Sequence, residues 1–143
     1  MMSLIRRDFV VDVPLLLAWE HLSRVEKWTS WAKHITNVEL DPEGDLTLLS
    51  KGTFLLSNGL KTVFEMKEMD PPRNWKWVGS FLWMTIHYDH QFERVDEQHT
   101  RLIWLVDGEG LGILILGKIF ARIYNRNLDH AIPNLCAEIK ALQ

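Results

Sequence analysis

The C-terminal segment Leu111–Gln143, LGILILGKIFARIYNRNLDHAIPNLCAEIKALQ, carries a long apolar stripe at helical spacing. The stripe consists of Leu116, Ile119, Phe120, Ile123, Leu128, Leu135, Ile139 and Leu142. Pro133 lies inside this pattern and removes a backbone hydrogen bond, so we expect a kink or break near Asp129–His130. A helix of this length must bury its stripe against a large partner. The strand-like segments before it can supply that partner.

Those preceding segments predict seven strands and two short helices. The second half of residues 4–13 alternates, and Pro14 then suits the first turn of a helix over 15–22. A second short helix leads to Trp28. A period of two follows and predicts strands at 35–41, 51–57, 60–69, 73–82, 84–95 and 99–108. The Asn58-Gly59 pair indicates a hairpin, and the short connections favour antiparallel neighbours. We therefore expect an α+β fold in which a seven-stranded antiparallel sheet curves around the long C-terminal helix.

Composition and charge limit the classes of protein to consider. With 143 residues, of which 47% are hydrophobic, the chain can form one domain over 1–143 with a sizeable core. The net charge of −3 gives no electrostatic reason to expect a nucleic-acid partner. Cys136 is the sole cysteine, and the N-terminus does not resemble a signal peptide. The longest apolar run, Leu111–Leu116, is far shorter than the roughly 20 residues that span a bilayer. We expect a cytoplasmic protein without an integral membrane segment.

The alternation within strand 84–95 singles out His90. It shares one predicted face with Ile86, Tyr88 and Phe92, where its imidazole would lose most of its contact with water. One interpretation is a core histidine whose hydrogen bonds are made to the backbone or a neighbouring strand. The other is a hydrogen-bonding group for a ligand, or a general acid or base, with Tyr88 nearby. The sequence leaves both open.

Two further patterns each allow a functional interpretation and a purely structural one. His87 and His90 could suggest a metal site, but residues three apart on a strand face opposite sides, so we predict neither metal nor cofactor. The run Leu111–Leu116 can form an exposed lip for a partner or a membrane surface. Alternatively, it packs over the mouth of a cavity.

Six segments together resemble a known family. They are Val11-Asp-Val-Pro14 with Trp19-Glu20, Val25–Trp31, Lys51-Gly-Thr53, Asp70–Arg73 with Trp75 and Trp77, His90-Gln-Phe92 with Thr100-Arg-Leu102, and Ile132–Leu135. Their order resembles the helix-grip fold of the START and birch-pollen-allergen superfamily (SRPBCC). Within it, the chain is most similar to the bacterial polyketide cyclase/dehydrase-like proteins.

The resemblance implies a cavity between the sheet and the long helix that holds a small hydrophobic or amphipathic molecule. From the predicted inner faces and the family's paired-tryptophan turn, we expect its wall to include Trp31, Phe64, Trp77, Ile86, Tyr88, His90, Trp104, Phe120 and Tyr124. Such proteins include both carriers and enzymes, so the fold does not give the function.

Three functions remain open at this stage. The first is ligand binding, and the second is a cyclase or dehydratase in which His90 and Tyr88 exchange protons on a polyketide-like substrate. The third is an interaction module in which outward residues such as Ile103 and Leu105 form the face of a homodimer. An inward carboxylate near His90 would favour the enzyme. A wall of aromatic and aliphatic groups would favour the carrier, and a filled interior would favour the interaction module.

Overall fold

The computed structural model describes residues 1–142, and seven of its strands form one antiparallel sheet. The strands are β1 (Met2–Val11), β2 (Ile35–Asp41), β3 (Lys51–Leu56), β4 (Lys61–Asp70), β5 (Asn74–Phe81), β6 (Met84–Asp96) and β7 (His99–Glu109). Their order across the sheet is β1-β7-β6-β5-β4-β3-β2. The predicted seven-stranded antiparallel sheet is therefore confirmed, with strand bounds close to those that the alternation indicates.

Irregular pairing and tight turns shape this sheet. The register shifts between β1 and β7, β2 and β3, β4 and β5, and β6 and β7. Extra residues of this kind bend a strand and increase its twist. The Asn58-Gly59 pair lies in the β3–β4 turn, where Gly59 has a φ of +88° that a residue without Cβ adopts easily. The sequence signal for this hairpin therefore has a direct conformational cause.

Three helices complete the fold. Helix α1 (Leu15–Ser23) and a 3-10 helix (Val25–Ser30) follow β1, which confirms the two short helices. Helix α2 (Leu111–Lys140) follows β7 and contacts β1, β6 and β7. The C-terminal part of α2 is anchored by buried residues, namely Leu128, Ala131, Ile132, Leu135 and Ile139. No helix within residues 1–142 is both long and apolar enough to cross a membrane.

Of the kink or break predicted near Asp129–His130, the break is wrong. Helix α2 continues through Pro133 to Lys140, and the last predicted helical residue, Gln143, lies outside the described residues. Pro133 is exposed, so its ring points away from the sheet, while Ile132 and Leu135 beside it are buried. Packing on both sides of the proline holds the helix together despite the missing hydrogen bond to the Asp129 carbonyl.

We expect Pro133→Ala to stabilise the protein. Alanine restores the backbone donor and loses nothing from the core, because the side chain at this position is exposed. The gain should be about 1 kcal/mol, less than the roughly 3 kcal/mol seen in isolated helices, since the surrounding structure already accommodates the proline. Urea denaturation would measure it. An unchanged or lower free energy of unfolding would show that α2 depends on the proline geometry.

The predicted dimer face on β7 is also not exposed. Ile103 has an exposed fraction of 6%, and Leu105 is only partly exposed. The reason is the position of β7 between β1 and β6, where Ile103 is paired with Asp8 on one side and Gln91 on the other. At 6% exposure, Ile103 offers little apolar surface to a second copy.

Candidate functional site

A cavity of about 250 Å³ lies between the inner face of the sheet and helix α2. Its deep wall comes from the sheet and from the 3-10 helix, and its outer wall comes from α2. The principal lining residues are Trp28, His34, Phe54, Phe64, Trp77, Tyr88, His90, Leu116, Ile119, Phe120, Ile123, Tyr124 and Asn127. The wall is mainly aromatic and aliphatic, as is usual for small-molecule sites.

A second cavity of about 40 Å³ adjoins the first. Trp28, Tyr88, His90 and Tyr124 line both cavities, so these residues separate them. Trp31 and Trp104 line the smaller one, with their ring centroids 6.0 Å apart. The smaller space is about the size of one water molecule, which occupies about 30 Å³ in the liquid.

The structure brings together most of the residues expected in the wall. Phe64, Trp77, Tyr88, His90, Phe120 and Tyr124 line the main cavity, and Trp31 and Trp104 line the smaller one. Ile86 is the exception, because it is buried in the core and lines neither cavity. Near the start of β6, the cavity is lined by Met84 and Phe81 instead.

His90 is enclosed by indole rings. Its ring centroid lies 4.8 Å from Trp75 in a stacked arrangement, 4.7 Å from Trp77 and 5.9 Å from Trp28. Burial lowers the pKa of His90 to about 3, and a backbone hydrogen bond with Trp75 opposes this only in part. The imidazole is therefore neutral at physiological pH. Its Nδ1 atom is buried and has no hydrogen-bond partner among the described residues.

Two phenols line the same cavity as His90. The rings of Tyr88, on β6, and Tyr124, on α2, have centroids 6.1 Å apart. Burial raises the pKa of Tyr124 to about 12. The pKa of Tyr88 is raised well above its usual value, first by burial and then by the electrostatic effect of Tyr124. Both hydroxyls remain protonated and can donate hydrogen bonds. Neither is hydrogen-bonded to another described residue.

The remaining polar side chains of the main cavity carry no negative charge. His34, whose pKa is lowered by burial, Asn58, Thr62 and Asn127 also line the wall, whereas no Asp or Glu within residues 1–142 does. Asp89 borders the smaller cavity, but its carboxylate accepts hydrogen bonds from Asn74 and Gln91, at 3.1 and 2.7 Å. No carboxylate is therefore available to polarise His90.

The other histidine of β6 lies on the opposite side of the sheet. His87 Nε2 is 3.2 Å from a carboxylate oxygen of Glu109, and the side chain is one-third exposed. The alternation of the strand thus separates His87 from His90, as the three-residue spacing predicts. No cluster of potential metal ligands occurs in the described part of the chain.

A larger groove lies on the outer face of β2–β5. It has a volume of about 900 Å³, opens widely to solvent, and is bordered by charged residues such as Lys51, Glu65 and Lys67. An open, charged groove cannot remove an apolar ligand from water. The enclosed inner cavity is therefore the better candidate for a binding site.

Sequence reasoning missed several lining residues. Trp28 was seen only as part of the paired-tryptophan turn, yet it lines both cavities, and His34 lies in the following loop. Neither residue belongs to a regular strand, so no alternation predicts its direction. Phe54 could have been found, because it lies on β3 opposite Thr62 and next to the inward Phe64.

Comparison with solved structures places this architecture in a known class. A START superfamily protein from Mycobacterium smegmatis superposes with a TM-score of 0.75 at 13% identity, covering 99% of both chains. The Zhui aromatase/cyclase from Streptomyces sp. R1128 gives 0.72 at 18% identity, covering 95% of this chain and 92% of the other. A protein from Thermobifida fusca gives 0.79 at 14% identity, covering 100% and 96%. Similarity at these identities concerns the fold alone, which is the helix-grip fold of START-like proteins.

The sequence itself assigns the family. The chain belongs to the family described as polyketide cyclase / dehydrase and lipid transport, whose model matches residues 2–135. No curated protein matches the sequence significantly. The family resemblance inferred from the six segments is therefore confirmed.

Proposed function

We propose that this protein binds a small hydrophobic or amphipathic molecule in the cavity between the sheet and α2. The observation that carries the proposal is a mainly aromatic and aliphatic cavity of about 250 Å³ whose wall also contains the imidazole of His90 and the phenols of Tyr88 and Tyr124. A cavity of about 150 Å³ is enough to hold benzene. Burial of apolar surface at about 25 cal/mol per Å² can supply most of the affinity.

The polar groups in the wall favour a ligand that also carries a hydrogen-bonding atom. His90 lines the cavity with a neutral imidazole, which offers one hydrogen-bond donor and one acceptor. The hydroxyls of Tyr88 and Tyr124 can donate to a carbonyl or hydroxyl oxygen in the same region. A ligand with one oxygen and an apolar body would satisfy these groups while filling the space.

The same geometry argues against acid–base catalysis as the leading function. A histidine whose pKa is about 3 is a weak base at neutral pH, and efficient general bases have a pKa near the working pH. Among residues 1–142, the wall also has no carboxylate that could raise this pKa. In a cyclase or dehydratase, the bound substrate would have to raise the pKa of His90. Catalysis is therefore the second candidate function.

Binding of the apolar dye N-phenylnaphthylamine tests the proposal. The wild-type protein should bind it saturably, and Phe120→Ala should weaken binding roughly 10-fold, equivalent to about 1.4 kcal/mol of lost apolar contact. Phe120 is a suitable target because it lines the cavity and is only half-buried, so the fold should survive. Fluorescence titration measures the affinity. Native mass spectrometry of the purified protein would reveal any molecule that it already carries.

His87→Ala is the matched control for dye binding. His87 lies on the same strand as His90 but on the outer face, beside Glu109. Its removal should leave the dye affinity within a factor of two, by the usual small effect of surface substitutions. Equal losses in the Phe120 and His87 variants, or no saturable binding by the wild type, would exclude the inner cavity as the site.

His90→Phe should alter the preference for polar ligands more than the affinity for apolar ones. Fluorene and fluorenone have nearly the same shape, and only fluorenone offers a carbonyl acceptor. The wild type should prefer fluorenone by about 1 kcal/mol, the usual net value of one hydrogen bond. The variant should bind both with similar affinity, as measured by displacement of the dye. An unchanged preference would remove His90 from the site.

A further inference from the structure

The mouth of the cavity is surrounded by exposed apolar side chains, which we call the apolar rim. It consists of Leu82, Trp83, Leu111, Leu114, Ile115 and Ile119. Trp83, Leu111 and Leu114 have exposed fractions of 82%, 80% and 86%. Contiguous exposed apolar surface of this kind is uncommon on a monomer and marks a docking site.

Contacts between the β5–β6 turn and the start of α2 make the rim one surface. The backbone N–H of Gly112 donates to the carbonyl of Trp83 at 3.2 Å. A Cβ at position 112 would lie 2.5 Å from the Leu82 carbonyl, so this close approach requires glycine. Leu82 and Ile119 also line the cavity, which places the rim at its entrance.

Two of the rim residues, Leu82 and Trp83, are unfavourable residue types for the conformation of the β5–β6 turn that they form. Leu82 and Trp83 have φ values of +47° and +63°, a region that bulky residues rarely adopt. Asparagine and glycine are the usual residues in two-residue turns of this kind. Backbone strain of this sort concentrates at functional positions, and here it displays two large apolar side chains to solvent.

The charge of the adjoining helix identifies the chemistry of the partner. Residues 111–128 contain Lys118, Arg122 and Arg126 and no acidic residue, although the whole chain has a net charge of −3. The three cations are exposed, follow one another at four-residue spacing, and form no ion pair with a described residue. A partner that accepts inserted apolar side chains beside a row of cations is an anionic lipid surface.

We propose that the apolar rim docks this protein on anionic lipid bilayers, with Trp83 and Leu114 entering the interface and the cations contacting phosphate groups. Tryptophan is enriched at membrane interfaces because its ring is apolar with one polar N–H. A second copy of the chain fits this surface less well, since a symmetric contact would bring the two rows of cations together. The proposal concerns the outer rim and does not depend on which ligand occupies the cavity.

Co-sedimentation with vesicles tests the docking. The full chain should bind vesicles rich in phosphatidylglycerol, bind pure phosphatidylcholine vesicles weakly, and be released by high salt because screening weakens exposed charges. Neutralising Lys118, Arg122 and Arg126 to Gln should lower the partition coefficient on the order of 100-fold, at about 1 kcal/mol per cation. The combined Trp83→Ser and Leu114→Ser variant should lower it at least about 10-fold by removing the inserted apolar groups.

Matched controls come from elsewhere on the surface. Leu48→Ser with Leu49→Ser removes similarly exposed apolar side chains, and Lys33→Gln with Lys51→Gln removes exposed cations. Both controls should bind vesicles as the wild type does. Trp83 and Leu114 do not line the cavity, so their variant should keep N-phenylnaphthylamine binding, which separates failed docking from a failed cavity.

Several outcomes would overturn the proposal. Equal binding to neutral and anionic vesicles, or equal losses in the rim and control variants, would show that the rim does not recognise lipid charge. Sedimentation velocity of the free protein provides a further check. A dimer that dissociates in the Trp83→Ser and Leu114→Ser variant would assign the rim to a second copy instead.

Discussion

Replacing Trp28 by alanine should destabilise the protein by about 4 kcal/mol, within the usual range of about 3–5 kcal/mol for truncating a buried aromatic residue. The Trp28 ring is 7% exposed and contacts three aromatic residues, Trp31, Phe54 and Trp77, with centroids 5.4–5.8 Å apart. Its Nε1 also donates to the Leu22 carbonyl at 2.8 Å. The substitution removes all of these contacts and leaves that carbonyl without its partner. Domains of this size are stable by only about 5–15 kcal/mol, so the variant should unfold at a much lower urea concentration.

Trp83→Ala is the matched control for this measurement. Trp83 is the same residue type with an exposed fraction of 82%, so its loss should change the free energy of unfolding by no more than about 0.5 kcal/mol. Trp28→Phe should fall between the two, because it keeps one aromatic ring while losing the rest of the indole and its N–H donor. A cost below about 1 kcal/mol for Trp28→Ala would mean that the 3-10 helix is not part of the cooperative core.

The difference between Trp28 and Trp83 shows where sequence reasoning succeeds and where it fails. Both residues lie in connections between predicted elements, so neither belongs to a periodic pattern that indicates its direction. Trp28 is buried and Trp83 is exposed because of the backbone conformations of the 3-10 helix and the β5–β6 turn in which they lie. By contrast, the inner positions of β6 follow directly from alternation, which is why Phe92 and His90 were predicted to face inward.

The wrong predictions for Pro133 and Ile103 have a common physical origin. Pro133 and Ile103 were judged by local rules, the breaking of helices by proline and the outward phase of a strand. In the structure, neighbouring packing overrides both rules. Buried residues on either side of Pro133 accompany a continuous α2, and Ile103 is 6% exposed in a strand that is paired on both edges. The order of helices and strands follows from local sequence patterns and can be predicted. The continuity of α2 and the burial of Ile103 depend on contacts between residues distant in the chain.

The interior of the cavity is the least predictable part for the same reason. Alternation indicates which side chains face α2, but the volume they leave depends on how closely the helix approaches the sheet. Small differences in that distance decide between a filled core and a cavity of about 250 Å³. The N-terminal half of α2 bears exposed Ile119 and Ile123 at the mouth of the cavity, whereas its C-terminal half is anchored by Leu135 and Ile139.

Acid should destabilise this protein through His90, and His90→Phe should remove most of that dependence. Burial lowers the pKa of His90 from 6.5 to about 3, so between these pH values the unfolded chain binds a proton that the folded protein does not. The free energy of unfolding therefore falls as the pH falls from 6.5 towards 3. At about pH 4 the loss from this one residue should be about 3 kcal/mol, at 1.36 kcal/mol per pH unit.

The difference between the wild type and the variant isolates this contribution. His34 also has a pKa lowered by burial, and it acts in the same direction, but it is present in both proteins. The outer-face variant His87→Gln should keep the steep wild-type dependence. Urea denaturation at about pH 7 and about pH 4 would measure each free energy of unfolding. If His90→Phe lost as much stability as the wild type, the imidazole would not be held neutral by its burial among the indole rings of Trp28, Trp75 and Trp77. The imidazole would then have to be reached by water in the folded protein, contrary to the burial of its Nδ1 atom.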